Sequence, residues 1–181
     1  HRLNRRQRQM CIRDRVSSDG QIDFSDDETK LYFGLALPEI YQDTLLLKEE
    51  IVDVEVWTYD EPRLYTIQEM QLNNDRKKSF KSVYHINDEK VIQIATKEFP
   101  NSITSETGNN KYALISNPEP YQLSSQWTAL FSKHDLAVRN INNGESRIII
   151  EGNPSSARLS PAGNYAYGYN QVDSTCLLYT S

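Results

Sequence analysis

The fold is decided by the stretch Leu159-Ser160-Pro161-Ala162-Gly163-Asn164-Tyr165-Ala166-Tyr167-Gly168-Tyr169. Its first half contains Gly163 and Asn164, two residues that tolerate the positive φ of a tight hairpin turn. Its second half alternates tyrosine with alanine or glycine, which is typical of a strand whose two faces meet different surroundings. The stretch therefore predicts a β-hairpin.

Two earlier segments repeat this pattern. Phe24–Gly34 and Thr104–Ile115 each contain a serine, a polar turn with Asp, Gly or Asn, and then an alternating run with an aromatic residue. Self-similar segments indicate a fold that is built from one recurring supersecondary unit. The chain is therefore expected to contain three related hairpins.

A second pair of strands follows each of the first two hairpins. Phe80–Ile86 and Val91–Ile94 form one pair, and Leu136–Ile141 and Arg147–Ile150 form the other. The second pair is separated by Asn143-Gly144, a strong short-range signal for a hairpin turn. Each unit is thus predicted to have four antiparallel strands, which is the blade of a β-propeller.

The spacing of the three turn serines defines the units. Ser25, Ser105 and Ser160 are separated by 80 and then 55 positions, whereas a propeller blade takes about 40–50 residues. The first interval therefore requires an insertion of about 30 residues, judged against that blade length. We assign the insertion to residues 37–78.

The predicted fold class is all-β, a partial β-propeller of two four-stranded antiparallel blades and the start of a third. The boundaries are residues 16–98 for the first blade with its insertion 37–78, residues 99–153 for the second, and residues 154–174 for the incomplete third. Within the insertion, Val52–Trp57 predicts a strand. Asp60 and Pro62, followed by the spaced Leu64, Ile67 and Met70, predict the start of a short helix.

The two ends differ from the middle. Residues 1–15 hold six arginines and one aspartate, and they could be a nucleic-acid-binding arm, part of a targeting signal or foreign sequence. No apolar segment follows them, so a secretory signal is unsupported. Arg8–Arg15 and Cys176–Ser181 resemble translated sequencing-adaptor read-through. We therefore treat residues 1–15 and 175–181 as artefactual tails outside the fold, and the partial propeller as residues 16–174.

Both cysteines, Cys11 and Cys176, lie in these tails. A disulfide between them is not expected. The net charge of −5 argues against a general nucleic-acid binder, which has a clustered basic surface. No apolar run approaches the roughly 18 residues of a membrane-spanning helix. The composition predicts neither a nucleic-acid partner nor a membrane span.

The repeated hairpins resemble the Ser-Pro-Asp-Gly hairpins of TolB-like propellers. More specifically, Val52–Leu64 is similar to a segment in the N-terminal propeller of bacterial prolyl oligopeptidase family serine peptidases, where an aspartate-valine-tryptophan strand ends in an Asp-Pro-Arg-Leu-like turn. The entry Lys77–Phe80 to the next strand fits the same pattern. The resemblance spans about residues 16–174. Asp26-Asp27-Glu28, which replaces Pro-Asp-Gly, is a departure that suits a divergent blade.

The resemblance implies a propeller that precedes an α/β-hydrolase domain, narrows access to a Ser–Asp–His triad and admits peptides. The nucleophile would lie on a Gly-x-Ser-x-Gly turn between a strand and a helix. Gly144–Ile148 matches only the first half, because Ile148 stands where glycine is required, and Ser146 lies in a predicted hairpin. The catalytic domain is therefore expected downstream of Ser174, as the partner of this segment together with a peptide substrate.

No catalytic, cofactor-binding or metal-binding residue is predicted in the chain itself. His134 and Asp135 are adjacent, but neighbours in a strand point to opposite faces, and a surface role for His134 is favoured. His85 is expected to pack or lie exposed in a strand. Neither histidine has zinc-ligand spacing.

The other chemistry-bearing residues favour structural roles. Three acidic clusters predict solvated turns rather than the converging oxygen ligands of a calcium loop: Asp26–Glu28, Glu49–Glu50 and Asp60–Glu61. Trp57 and Trp127 could contribute to a substrate-facing surface, but packing in the core or between blades is favoured. The sequence Asn153-Pro154-Ser155 is not a glycosylation site, because proline blocks it.

The leading hypothesis is a substrate-gating propeller part of a serine peptidase that is not itself catalytic. An alternative is a non-catalytic TolB-like propeller that binds a protein partner in the cell envelope. A third is a mis-assembled product without a stable fold. The family resemblance favours a periplasmic or other extracytoplasmic location.

Overall fold

The computed structural model describes residues 15–38, 58, 61–127 and 132–180. These described residues are mostly β, with 42% strand and 15% helix, and their strands form three sheets. This confirms the all-β, partial propeller-like class. The strand predicted at Val52–Trp57 lies outside the described residues.

Three consecutive antiparallel sheets follow one another along the chain. Sheet 1 contains β1 (Arg15–Val16), β2 (Asp23–Phe24), β3 (Lys30–Ala36), β4 (Phe80–His85) and β5 (Lys90–Gln93). Sheet 2 contains β6 (Asn101–Ile103), β7 (Tyr112–Asn117), β8 (His134–Asn140) and β9 (Ser146–Asn153). Sheet 3 contains β10 (Ala157–Leu159), β11 (Tyr165–Asn170) and β12 (Thr175–Thr180).

Sheets 2 and 3, and sheet 1 from β2 to β5, are meanders in which neighbours in sequence are neighbours in space. Sheet 2 has the strand order β6-β7-β8-β9, and sheet 3 has the order β10-β11-β12. In sheet 1, β1 and β2 both pair with β3, and β4 and β5 follow. All strand pairs are antiparallel, as the hairpin turns predict.

Two helices lie in corresponding connections. Helix α1 (Tyr65–Arg76) lies between β3 and β4, and helix α2 (Glu119–Trp127) lies between β7 and β8. The short helix predicted around Leu64 is thus present as α1. Helix α2 was not predicted from the sequence, because residues 118–127 have weak apolar periodicity and the helix buries no residue.

The central strands of sheet 2, β7 and β8, are buried on both faces, which explains their unbroken apolar runs. One core cluster joins sheets 1 and 2: Tyr32, Val83, Ile92, Ile94 and Phe99 with Ala113, Ile115, Ala137 and Ile141. A second cluster joins sheets 2 and 3: Leu114 and Leu136 with Ala157, Leu159 and Ala166. Successive residues of β7 thus point to opposite neighbours, so sheet 2 is the middle layer of a stack.

The folded part of the chain runs beyond the boundary expected from the sequence. Thr175–Thr180 forms β12 and pairs with β11 from Thr175↔Asn170 to Thr180↔Tyr165. Arg15 likewise pairs with Ala36 in β1. The exclusion of residues 175–180 from the fold is therefore corrected: without β12, one edge of β11 would have unpaired backbone groups, and a neighbouring segment with strand propensity can satisfy them.

Candidate functional site

The three serine turns have the same backbone geometry. In each, the fourth residue has positive φ and its N–H donates to the serine carbonyl. The bonds are Glu28 to Ser25 at 2.9 Å, Gly108 to Ser105 at 3.2 Å, and Gly163 to Ser160 at 2.8 Å. The corresponding φ values are 55°, 68° and 70°. The hairpins predicted at these serines are confirmed, with Glu28 holding a conformation that glycine adopts more readily.

Sheet 1 is joined to sheet 2 through the turn of sheet 2. The Tyr32 hydroxyl donates to the Gly108 carbonyl at 2.7 Å, and the Lys30 ammonium donates to the Asn109 carbonyl at 3.1 Å. A backbone bond from the Asp26 N–H to the Thr107 carbonyl, 2.9 Å, links the two turns directly. The turn carbonyls are thus the acceptors by which one sheet holds the next.

The glycines in these turns leave room for the neighbouring sheet. A Cβ on Gly108 would lie 3.0 Å from the Tyr32 ring, and one on Gly163 would lie 2.6 Å from the Asn110 side-chain nitrogen. Both distances are shorter than normal carbon contacts. Glycine is therefore required twice, once by the positive φ and once by the close approach of the preceding sheet.

The second hairpin of each sheet makes similar contacts. His85 is buried in β4, and its Nε2 lies 2.8 Å from the Ile141 carbonyl. Because a carbonyl only accepts, this nitrogen carries the proton. The Arg139 guanidinium donates back to the carbonyls of Gln93 at 3.3 Å and Ile94 at 2.9 Å. His85 therefore has a packing role, which agrees with one of the two expectations from the sequence.

Two ionisable groups in the first turn have shifted pKa values. Hydrogen bonds from Ser25 and Thr29 lower the pKa of Asp27 to about 2. Burial raises the pKa of Tyr32 to about 12, with the Asp27 charge as a smaller contribution. The turn is therefore an organised hydrogen-bond network.

The helices lie at the end of the sheets opposite to the serine turns, because β3 and β7 each begin at a turn and lead into a helix. Gln126 of α2 donates a 2.6 Å hydrogen bond to the Pro62 carbonyl, which precedes α1. Arg63 forms a 2.7 Å ion pair with Asp75. The connections of sheets 1 and 2 thus meet at this end of the molecule.

Asp135 anchors helix α2 to sheet 2. It accepts hydrogen bonds from the Tyr121 hydroxyl at 2.7 Å and from the Gly152 N–H at 2.9 Å. The bond to Asp135 raises the pKa of Tyr121. The adjacent His134 lies 3.4 Å from the Asn153 amide nitrogen, and burial lowers its pKa. Asp135 is engaged by Tyr121 and Gly152, which does not favour a His134–Asp135 catalytic pair.

Some of the exposed apolar side chains lie on the two helices and on the residue that precedes α1, and others are distributed over strands and loops. We call the first set the helical surface; it consists of Leu64, Met70, Leu72, Leu123 and Trp127. Trp127 is 78% exposed and Met70 is 84% exposed. The prediction that Trp127 packs in the core or between blades is therefore wrong. The cause is α2, whose last residue carries this side chain away from the sheet. Trp57 lies outside the described residues.

The remaining sequence candidates do not form a reaction centre in the described part of the chain. Ser146 is the first residue of β9 and follows the hairpin turn at Gly144, so it does not lie on a turn between a strand and a helix. Among residues 15–38, 58, 61–127 and 132–180, no group of three His, Cys, Asp or Glu side chains is placed to hold a metal ion. Cys176 is a free, exposed thiol in β12. The acidic pair Glu49–Glu50 lies outside the described residues.

No protein-family model matches the chain, and no curated protein matches it either. Neither α1 nor α2, the helices in the described ranges, has the length and apolar character required to cross a membrane.

Proposed function

We propose that the chain is the substrate-gating propeller part of a serine peptidase of the prolyl oligopeptidase family, and that the peptidase acts on peptides. The catalytic domain belongs to the same parent protein and is an α/β-hydrolase domain. In this proposal the stacked sheets form a filter in front of that domain and do no chemistry of their own.

The observation that carries the proposal is the stacking of three consecutive sheets in chain order. Tyr32 of sheet 1 reaches the turn of sheet 2, and Asn110 of sheet 2 packs on the turn of sheet 3. Sheets that repeat radially in this way enclose a central channel in a propeller. Together with the resemblance of Val52–Leu64 to the peptidase propellers, the stacking supports a gating role.

The filter works by size. In a closed ring the first strand of each sheet lies nearest the axis, so β2, β6 and β10 line the opening. Their exposed side chains include Phe24, Ile103 and Arg158. A flexible peptide can pass such an opening in an extended conformation, whereas a folded protein is wider than the opening. Substrate choice then depends on the width and rigidity of the ring.

The test is to extend the reading frame and produce the parent protein. We expect a Gly-x-Ser-x-Gly segment followed by Asp and His, labelling of that serine by a fluorophosphonate probe, and cleavage of short proline-containing peptides but not of folded casein-sized proteins. Replacement of the elbow serine by alanine is the control that must abolish both labelling and cleavage. A frame that continues into further sheets and then stops contradicts the peptidase proposal.

A second candidate is a non-catalytic propeller that binds a protein partner, and the helical surface favours it. Neither α1 nor α2 buries a residue, and Trp127 and Met70 are 78% and 84% exposed. Exposed apolar surface of this kind marks protein interaction sites. The same extended frame separates the two candidates, because only the peptidase requires a hydrolase domain.

A further inference from the structure

One face of sheet 3 carries three tyrosines that no other described element covers. In β11, Ala166 and Asn170 are buried, and Ala166 belongs to the cluster shared with sheet 2. Because successive side chains alternate, the opposite face presents Tyr165, Tyr167 and Tyr169. These three side chains are 46%, 45% and 50% exposed.

The repeat assigns internal equivalents to Tyr167. The residues that pair with the position two before the turn serine are Tyr32 in sheet 1, Leu114 in sheet 2 and Tyr167 in sheet 3. Tyr32 is only 4% exposed, because it lies against sheet 2 and donates to the Gly108 carbonyl. Tyr167 thus occupies the position from which sheet 1 binds sheet 2.

The equivalent residue of sheet 2 supports the same assignment. Leu114 pairs with Ile103 as Tyr167 pairs with Arg158. Leu114 is 1% exposed and packs in the cluster between sheets 2 and 3. The face of sheet 2 that contacts sheet 3 therefore corresponds to the tyrosine face of sheet 3. A sheet packed on the tyrosine face would form a third interface of the same kind as the two that the structure shows.

We propose that the tyrosine face of sheet 3 is a docking surface for a further antiparallel sheet with a Ser-x-x-Gly turn, whose glycine carbonyl accepts a hydrogen bond from the Tyr167 hydroxyl. Tyr165 and Tyr169 flank this bond and pack on the same sheet. The inference is independent of the peptidase proposal, because it concerns the partner of one face and not a reaction.

Sheet 1 of a second copy does not fit this surface. The residue of sheet 1 that corresponds to Gly108 and Gly163 is Glu28, which has a side chain. At both existing interfaces a Cβ in this place would lie 3.0 Å or less from the preceding sheet. A head-to-tail dimer would press Glu28 against Tyr167. The sheet that docks on this face must therefore have glycine at that position of its turn, which sheet 1 does not.

The experiment extends the full chain with a sheet that has the required turn. Residues 141–156, which supply a turn, a fourth strand and a connection, are fused after Ser181 and followed by a copy of residues 101–153. The matched control carries Gly108→Glu in the appended copy only. Nitration of each tyrosine by tetranitromethane is followed by mass spectrometry, with the buried Tyr32 as the internal reference, and thermal unfolding is measured in parallel.

In the 181-residue chain, we expect Tyr167 to be nitrated at least about tenfold faster than Tyr32, as an exposed rather than a protected group. The glycine fusion should slow nitration of Tyr167 to near the Tyr32 rate and raise Tm. The Gly108→Glu fusion should restore the fast rate. Equal protection by both fusions, or protection by neither, overturns the proposal. A chain that is already protected at Tyr167, as a monomer or as a concentration-dependent dimer, overturns it as well.

Discussion

Tyr32 shows how a single side chain joins two layers. Its hydroxyl is the donor in a buried 2.7 Å bond to the Gly108 carbonyl. Tyr32→Phe removes the donor and leaves that carbonyl unpaired. We expect the free energy of unfolding at pH 7 to fall by about 1 kcal/mol, measured by urea denaturation. Tyr169→Phe, at an exposed position on sheet 3, is the control and should change it by much less.

The same residue predicts a loss of stability at alkaline pH. The folded state holds the pKa of Tyr32 near 12, whereas an unfolded tyrosine ionises near 10. Between these values the unfolded chain has lost a proton that the folded chain retains, so stability falls as pH rises. The stability difference between the wild type and Tyr32→Phe should therefore shrink above about pH 10. If this difference in stability between the two proteins stays constant to about pH 11.5, above the unfolded pKa of about 10, the result contradicts the burial of the Tyr32 hydroxyl.

Asp27 predicts the opposite dependence at acid pH. Its hydrogen bonds hold the pKa near 2, below the unfolded value of about 3.9. The stabilisation is therefore present above pH 4, on the order of the unfolded pKa, and is lost as pH falls toward 2. Asp27→Asn should show a shallower acid unfolding curve than the wild type, followed by circular dichroism. Asp26→Asn, in the same turn, is the control and should retain the wild-type slope.

Gly163 tests steric fit separately from backbone conformation. Both Gly163 and Gly152 have positive φ, 70° and 63°, so alanine at either costs about 1–2 kcal/mol. A Cβ at Gly163 would also lie 2.6 Å from Asn110, whereas at Gly152 the nearest atom is 3.4 Å away. Gly163→Ala should therefore lower the free energy of unfolding by more than Gly152→Ala does. Equal losses in the free energy of unfolding would mean that Asn110 of sheet 2 does not contact the turn at Gly163.

At the scale of the element, the central strands of sheet 2, β7 and β8, are distinguished by having two buried faces. Leu114 is 1% exposed and packs toward sheet 3. Leu114→Ala should lower the free energy of unfolding by about 2–5 kcal/mol, measured by chemical denaturation. Ile148→Ala in β9, where the side chain is 52% exposed, is the matched control and should cost less than about 1.5 kcal/mol. Similar losses at both positions would contradict the packing of sheet 3 on sheet 2.

The strands that the sequence predicts are those whose signals are local. The serine turns are recognised because glycine or asparagine stands where positive φ is needed, and Asn143-Gly144 marks the hairpin between β8 and β9. Glu28 has positive φ without such a residue, and its turn was found only through the repeat. Helix α2 was missed although Asn117-Pro118-Glu119 is a local signal for the start of a helix. The structure shows the corresponding capping bond, 3.0 Å from the Glu119 N–H to Asn117.

The site is less predictable than the strands, because its contacts join residues far apart in sequence. Nothing near Tyr32 indicates that its partner is Gly108, 76 positions later. The exposure of Trp127 depends on where α2 ends. Tryptophan side chains are usually buried, and the prediction for Trp127 followed that tendency. The position of β12 depends on the edge of β11, which composition alone does not reveal.

At the scale of the whole molecule, the turn contacts make each sheet depend on the next. Sheets 1 and 2 share one core and sheets 2 and 3 share another, so repeats of this kind unfold according to nearest-neighbour coupling. A further sheet packed on the tyrosine face of sheet 3 would be coupled to sheet 3 in the same way. The peptidase and protein-binding proposals both rest on this stack, and they differ only in what lies beyond it.

The most direct test of the stack is a nuclear Overhauser spectrum of the chain. The account predicts cross-peaks from the Tyr32 ring to Gly108 and from the Asn110 side-chain amide to Gly163, since each pair is in contact across two sheets. Observation of both sets would establish that sheets 1, 2 and 3 lie face to face in chain order. A folded chain that shows the strand pairing within each sheet but neither inter-sheet contact would contradict the account.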